Sequence, residues 1–380
     1  MTERIYLDWN ATAPLRPQAR AATVEALDLL GNPSSVHGEG RAARHLVEGA
    51  RRQVAALVGA DPESVTFTSG GTEANALALT PSTPGEVLLV SSIEHPSVLA
   101  GGRFDPAQVR QVPVTADGRL DLAALTETLL AAGRPALVSL MAANNETGVL
   151  QPVSQAAAIV HEAGGRLHVD AVQAAGRIPL HINEIGADLI TVSSHKLGGP
   201  KGAGALIRRS QVPAVEPLIR GGGQERGARA GTENVAAIAG FGAAAAAAMA
   251  GLAAEAAHMA ALRDRLEQGL RSISPEAVVF GQEAVRLPNT TLFSVPAMKA
   301  ETAVIAFDLA GVAVSSGAAC SSGKVTPSHV LAAMGVPPPL ARGAVRISLG
   351  PTTTESEVDR FLEAWRKLFQ SLTVRRDIAA

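Results

Sequence analysis

Cysteine is nearly absent: 380 residues contain one thiol, Cys320. One cysteine excludes an intramolecular disulfide and any cysteine-based metal site, and no metal is expected. Aromatic residues make up 3% and charged residues 18%, with a formal net charge of -2. That balance calls for neither direct nucleic-acid binding nor an anionic membrane surface. The opening Met1-Thr2-Glu3-Arg4 lacks a basic-plus-apolar leader, which reads as a cytoplasmic protein. One stretch, from Val235 to Ala254, is uncharged and apolar for the length of a membrane span. It is mostly Ala and Gly, which gain little from lipid, and Glu255, His258, Arg263 and Arg265 follow it. A long soluble helix linking two domains is the better reading.

The length favours two or three domains with large cores. From about Asp61 to Arg208, strand-length apolar runs alternate with helical stretches. The runs are Glu86–Val90, Ala136–Met141, Leu167–Val169, Leu189–Val192 and Ala203–Ile207. They are apolar throughout, as in strands buried on both faces of a mostly parallel sheet. Ser154–Ala163 and Leu122–Ala131 read as helices stopped by glycine. Beyond the Ala-rich helix, strands at Pro288–Phe293, Val312–Val314 and Ala344–Leu349 and helices at Ala300–Leu309 and Glu355–Leu372 predict a smaller α+β domain. The division expected is a large domain over residues 13–250 and a small one over 251–380. The strand Ile5-Tyr6-Leu7 can join either; residues 1–12 are assigned to the small one.

Lysine is also scarce, with five in the chain (Lys196, Lys201, Lys299, Lys324 and Lys367). Lys196 follows the run Leu189–Val192, and Asp170 closes the run Leu167–Val169. In an alternating α/β chain both lie at carboxyl ends of strands, where such sheets bind ligands. A lysine can form an imine with an aldehyde, which arginine cannot, and a buried aspartate can keep a pyridine nitrogen protonated. Pyridoxal phosphate needs both. Lys201 is the internal rival.

Other residues fit the same cofactor. Gly70-Gly71-Thr72 opens a helix after a strand, where backbone N–H groups and a hydroxyl suit a phosphate, although on its own an ordinary strand-to-helix turn is the plainer account. Ser193 and His195 can complete a phosphate cup. His95 follows a strand and can stack on a ring or move protons. Asn145 and Gln173 can hydrogen-bond a ring oxygen or a carboxylate, although an Asn-rich turn explains the former equally well on local grounds. Arg346, a charge in the apolar run Val345–Ser348, requires a carboxylate partner from protein or ligand. Cys320 lies in Ser315–Gly323, a composition that suits a loop more than a core, where its thiolate would serve sulfur chemistry.

Taken together the chain resembles the cysteine desulfurases of the NifS/IscS type, within the fold-type I pyridoxal phosphate enzymes. The resemblance spans nearly the whole chain, in order. It includes Tyr6-Leu7-Asp8, Asn10-Ala11-Thr12, Glu94-His95-Pro96, Asn144-Asn145-Glu146, Val169-Asp170-Ala171, Ser193 to Gly202, Ala230 to Asn234, Ser315 to Cys320 and Arg346 to Gly350. It implies a seven-stranded, mostly parallel sheet in the large domain. It also implies that Lys196 carries the cofactor, Asp170 pairs with the pyridine nitrogen, and Gln173 and Asn145 lie on the ring-oxygen side. His95 stacks on the ring, and Gly71, Thr72, Ser193 and His195 hold the phosphate. Thr232 reaches the phosphate of a second subunit, which makes the enzyme a homodimer. Asn145 and Arg346 grip the carboxylate of L-cysteine, and Lys196, His95 and Cys320 carry the catalysis. A persulfide on Cys320 then passes to an acceptor protein, an iron–sulfur scaffold or a sulfur carrier serving cluster assembly or tRNA thiolation. The alternative is a selenocysteine lyase or another lyase or aminotransferase with the same cofactor. Gly198, Ala13 and Ala318 depart from common family residues, which bears on packing and loop chemistry rather than reaction type.

Overall fold

Uninterrupted apolar runs form strands covered on both faces, and the computed structural model places them so. It describes residues 4–317 and 328–379, so Cys320 and its immediate neighbours lie outside the described residues. The first part of the chain runs β1 (Ile5–Tyr6), α1 (Pro17–Leu27), α2 (Gly38–Leu57), β2 (Val65–Thr68), α3 (Gly71–Ala78), β3 (Val87–Ser91), α4 (Pro96–Leu99) and β4 (Val109–Val112). It continues through α5 (Leu122–Ala132), β5 (Ala136–Met141), α6 (Val153–Glu162), β6 (Arg166–Asp170), β7 (Leu189–Ser193) and β8 (Gly204–Arg208). The long α7 (Val235–Ile273) leads to β9 (Val278–Val279), β10 (Thr290–Ser294), α8 (Ala300–Leu309), β11 (Val312–Ala313) and β12 (Ser315–Ser316). Then come α9 (His329–Ala333), α10 (Pro338–Ala341), β13 (Val345–Ser348) and α11 (Glu355–Ala379).

The seven-stranded sheet has the order β2-β8-β7-β6-β5-β3-β4. Only β8 runs against its neighbours, so the sheet is mostly parallel as expected. The carboxyl ends of β3, β5, β6 and β7 therefore share one edge, and His95, Asn145, Asp170 and Lys196 follow or end those strands. The four-stranded sheet is antiparallel, in the order β12-β13-β10-β9. The N-terminal strand pairs with β11, and Asp8 bridges Ser348 of β13. That settles which neighbours the N-terminal strand takes.

Helix α7 serves two cores. Ala237, Ile238, Phe241, Ala245 and Ala248 pack under the large sheet with α2, while Leu262, Leu266 and Leu270 pack with Phe293, Phe361 and Trp365 of the second core. Among the described residues α7 is the one helix long and apolar enough to cross a membrane. Its small, uncharged residues are instead what lets α1 and α2 approach it, and Gly242 lies where a Cβ would stand 2.5 Å from the Ala50 Cα.

A buried ion pair pins the long Gly- and Arg-rich loop after β8. Arg51 of α2 donates to both Glu225 oxygens at 2.8 and 2.9 Å, and the Phe67 amide donates to the same carboxylate at 2.8 Å. Glu225 and Arg226 adopt left-handed backbone angles, φ 47° and 57°, a conformation that costs a non-glycine residue energy unless its surroundings impose it. Glu225→Ala leaves Arg51 buried with one fewer anion, so we expect a loss of about 3–5 kcal/mol in urea unfolding. A loss below about 1 kcal/mol would show that the pair does not hold this loop.

His168 of β6 is fully buried, with Nδ1 2.8 Å from Ser139 Oγ and Nε2 2.9 Å from Thr191 Oγ1. Burial pushes its pKa down to about 4. An unfolded histidine titrates near 6.5, so on acidification the unfolded chain takes the proton first. Stability from this residue is therefore complete above pH ~6.5 and declines by about 3 kcal/mol as the pH falls toward 4. Unfolding free energies measured across that range should slope less steeply in His168→Asn. Equal slopes would assign the acid sensitivity elsewhere.

Candidate active site

The shared strand edge opens into a cavity of about 290 Å³. Its lining brings together Gly71, Thr72, His95, Asn145, Asp170, Gln173, Ser193, His195, Lys196 and Arg346. Thr232, in contrast, is exposed outside this lining, and Cys320 lies beyond the described residues. Lys196 rather than Lys201 reaches the cavity; Lys201 lines a separate recess that shares Thr72 and Ser193 with it.

Short connections place these groups. Leaving β7, the chain makes a single 3₁₀ turn, and Lys196 Nζ donates to the carbonyls of Asn10 (2.6 Å) and Ala11 (2.9 Å). Gly198 then takes φ +86°, and a Cβ there would stand 2.7 Å from Arg16 Cγ, so this glycine is demanded by the packing of the turn. Gly71 begins α3, and a Cβ on it would approach Val172 and Ser193 at 3.0 and 3.4 Å. The α3 N–H groups thus face the cavity end without obstruction, the arrangement that favours an anion.

Asp170 is buried and accepts from the Val172 amide at 3.0 Å and from Asn75 Nδ2 at 2.8 Å. The same Asn75 amide donates to Ser97 Oγ at 2.9 Å, and Ser97 Oγ lies 2.8 Å from His95 Nδ1. The Ser97 amide also donates to His95 Nδ1 at 3.2 Å. These contacts assign His95 the tautomer with its hydrogen on Nε2. Burial lowers the His95 pKa, Lys196 and His329 add to the lowering, and Asp170 opposes it. Neutral His95 is thus held as a donor at Nε2; to receive a proton there it must first shift its hydrogen to Nδ1 and give up the Ser97 amide. Glu94 is fully buried, accepts from the Met141 amide at 2.7 Å, and burial and Asp170 raise its pKa well above the usual range. Both effects favour its protonated form. His195 is kept neutral as well, its pKa pushed down to about 4 by burial, Lys196 and Lys201, with Nδ1 3.1 Å from Thr12 Oγ1.

Gln173 donates to the Asn10 carbonyl at 3.1 Å and accepts from Arg177. Arg346 finds the carboxylate its burial requires in the protein: Nη2 donates to Asp8 Oδ1 at 2.8 Å and Nη1 to the Asn145 carbonyl at 2.9 Å. Its Nε is buried and has no hydrogen-bond partner among the described residues. Asn75, Ser97, Glu94 and Asp8 were not among the candidates read from the sequence. Each acts through a residue that was, and a lone Asn, Ser or buried Glu carries no local pattern that marks it.

Pyridoxal phosphate suits this set. An unobstructed helix start with hydroxyls from Thr72 and Ser193 matches a phosphate, buried Asp170 matches a pyridinium, and Lys196 stands in the same cavity. A polar Nε left unpaired on Arg346 matches an incoming anion.

The aminotransferase class-V family model matches residues 5–361. A cysteine desulfurase of Cereibacter sphaeroides is 47% identical over 95% of this chain and 94% of its own length. The cysteine desulfurase IscS of Dictyoglomus turgidum is 38% identical over 98% of this chain and 96% of its own. A solved NifS-like protein from Rickettsia africae superposes with a TM-score of 0.90 at 38% identity, covering 97% of this chain and all of that one. With its sheet order, cavity residues and full-length similarity in agreement, the chain belongs to the class-V aminotransferase family and, within it, to the pyridoxal phosphate-dependent cysteine desulfurases.

Proposed function

We propose that this enzyme converts L-cysteine to L-alanine and places the sulfur on Cys320 as a persulfide for an acceptor protein. The observation that supports it most is the meeting of Lys196, Asp170, His95 and Arg346 in one cavity between two sheets. Bound pyridoxal phosphate supplies an aldehyde for the substrate amine and a sink for the electron pair left at Cα. Lys196 Nζ holds that aldehyde before the substrate arrives, then removes the Cα proton. Asp170 keeps the pyridine nitrogen protonated, steadied by Asn75 and the Val172 amide. Gly71, Thr72, Ser193 and neutral His195 hold the phosphate, and Asn145 and Gln173 serve the ring-oxygen side. Arg346 takes the substrate carboxylate with the N–H groups that Asp8 and Asn145 leave open. His95 lies against the ring and keeps a proton on Nε2. The Cys320 thiolate forms an S–S bond with the substrate sulfur as the Cβ–S bond breaks; the three-carbon fragment keeps that electron pair, takes up protons and leaves as L-alanine.

In this reading the chain divides into residues 13–250 and residues 251–380 with 1–12, supported by the two cores that meet along α7. The exposed Thr232 serves a second subunit's phosphate in a cytoplasmic homodimer. The acceptor is an iron–sulfur scaffold or sulfur carrier protein.

Two experiments test the assignments. Lys196→Ala should lose the visible absorbance of the lysine-bound cofactor while Lys201→Ala keeps it; the reverse would mean Lys201 is the attachment point. With L-cysteine, the wild type should release alanine and sulfide in equal amounts in the presence of a thiol reductant, and Cys320→Ala should lose this turnover by at least ~100-fold while retaining its cofactor. Turnover surviving in Cys320→Ala would indicate direct elimination or a selenocysteine lyase instead.

A further inference from the structure

Arg346 is held from two sides. It is 2% exposed and lines the cavity, yet one of its N–H groups is given to Asp8, which does not line the cavity. Asp8 is itself oriented: Ser315 Oγ donates to Asp8 Oδ2 at 2.8 Å, leaving Oδ1 for the guanidinium. The placement follows from the strand ladder, since Ser315 of β12 is the register partner of Arg346 on β13, and Asp8 bridges to Ser348 two residues along. The second guanidinium nitrogen is given to the Asn145 carbonyl, and Nε, fully buried, has no partner among the described residues. A guanidinium has five N–H groups, so this arrangement leaves donors for a second carboxylate.

We propose that Asp8 is a positioning residue that shares the Arg346 guanidinium with the substrate carboxylate and, by its charge, limits how tightly that carboxylate is held. The proposal rests on Arg346 as the carboxylate site. Two anions on one buried cation repel each other, and the repulsion grows where water is excluded. The consequence is a carboxylate site that binds without trapping. L-Alanine carries the same carboxylate as L-cysteine, so a site paired with Asp8 lets the product leave as readily as the substrate enters.

Asp8→Asn separates charge from contact, because an amide can still accept from Arg346 and donate to Ser315 Oγ. The probe is propionate, a carboxylate with neither amine nor thiol, titrated calorimetrically into the holoenzyme. We expect Asp8→Asn to bind propionate roughly 3- to 10-fold more tightly and to show a lower KM for L-cysteine. Binding of cysteamine, which lacks the carboxylate, should not move. Ser315→Ala removes a donor from Asp8, concentrates its charge on Arg346, and should weaken propionate binding; it keeps the test open if Asp8→Asn does not fold. Unchanged or weaker propionate binding in Asp8→Asn, or an equal shift for cysteamine, would overturn the role of Asp8. So would unchanged or tighter propionate binding in Ser315→Ala. Arg346→Ala distinguishes the premise. If it binds propionate as well as wild type, Arg346 is not the carboxylate site; if it loses propionate while Asp8→Asn gains nothing, only the proposal about Asp8 fails.

Discussion

The site depends on Asn10, a buried residue in a segment that belongs to neither sheet. Its backbone N–H donates to Ser348 Oγ at 2.9 Å, and its side chain donates to Thr290 Oγ1 at 2.9 Å and accepts from Asn289 at 3.1 Å. All three partners come from the small antiparallel sheet or its entry. Its carbonyl faces the other way and accepts from Lys196 Nζ and Gln173 Nε2, both set by the large sheet. One residue therefore satisfies polar groups from both halves at the seam where the cavity lies. Leaving any of them unpaired at that depth would cost more than a typical hydrogen bond contributes, so the seam is specified in position as well as composition.

Burial then decides which charges the cavity keeps. Burial disfavours the ionised form of Glu94 and holds His195 and His168 as neutral bases, so the strand edge is biased against carrying these charges. Asp170 has two donors on its carboxylate and lies against Asn75, which links it to Ser97 and then to His95. The raised Glu94 pKa matters to this arrangement because a second carboxylate beside Asp170 would compete for the positive charge of a bound pyridinium. The cation side is uneven too. Arg177 is buried without a carboxylate contact among the described residues, donating to Gln173 and to the Lys196 carbonyl, and burial and Arg346 push its pKa down to about 9. Two guanidinium groups thus raise the potential around a site that must receive a phosphate and a carboxylate.

Much of this was legible in the sequence because strand ends are legible. Runs such as Ala136–Met141 and Leu189–Val192 have no alternation, so a buried parallel sheet followed, and the residues just past them fell on one edge. That placed Lys196, Asp170, His95 and Asn145 before any coordinates. The boundaries moved by a residue or two, as with α6 starting at Val153, because helix ends are set by caps that tertiary contacts adjust. α11 extends past the expected end at Leu372, running to Ala379. The supporting residues were not legible for a different reason. Asn75, Ser97 and Glu94 matter through contacts across the fold, Asn75 with Asp170 at a separation of 95 residues, and no spacing rule reaches that far. Arg346 was read as needing a carboxylate; that its protein partner is Asp8, 338 residues away, needed the sheet register.

That register also ties the carboxylate site to the segment that carries the cysteine. Ser315, opposite Arg346 on the ladder, is followed by Gly317, whose amide donates to the Ala344 carbonyl at 3.1 Å. A Cβ on Gly317 would stand 3.0 Å from Glu146 Oε2, and the same oxygen accepts from Ser328 Oγ at 2.6 Å. The residues on either side of the segment 318–327 therefore converge on one buried carboxyl. Glu146 adjoins Asn145, whose carbonyl holds Arg346, and burial raises the Glu146 pKa to about 7 against the opposing pull of Ser328 and Arg346. A chain of ten residues pinned at both ends by short contacts has its reach limited by those ends, whatever lies between.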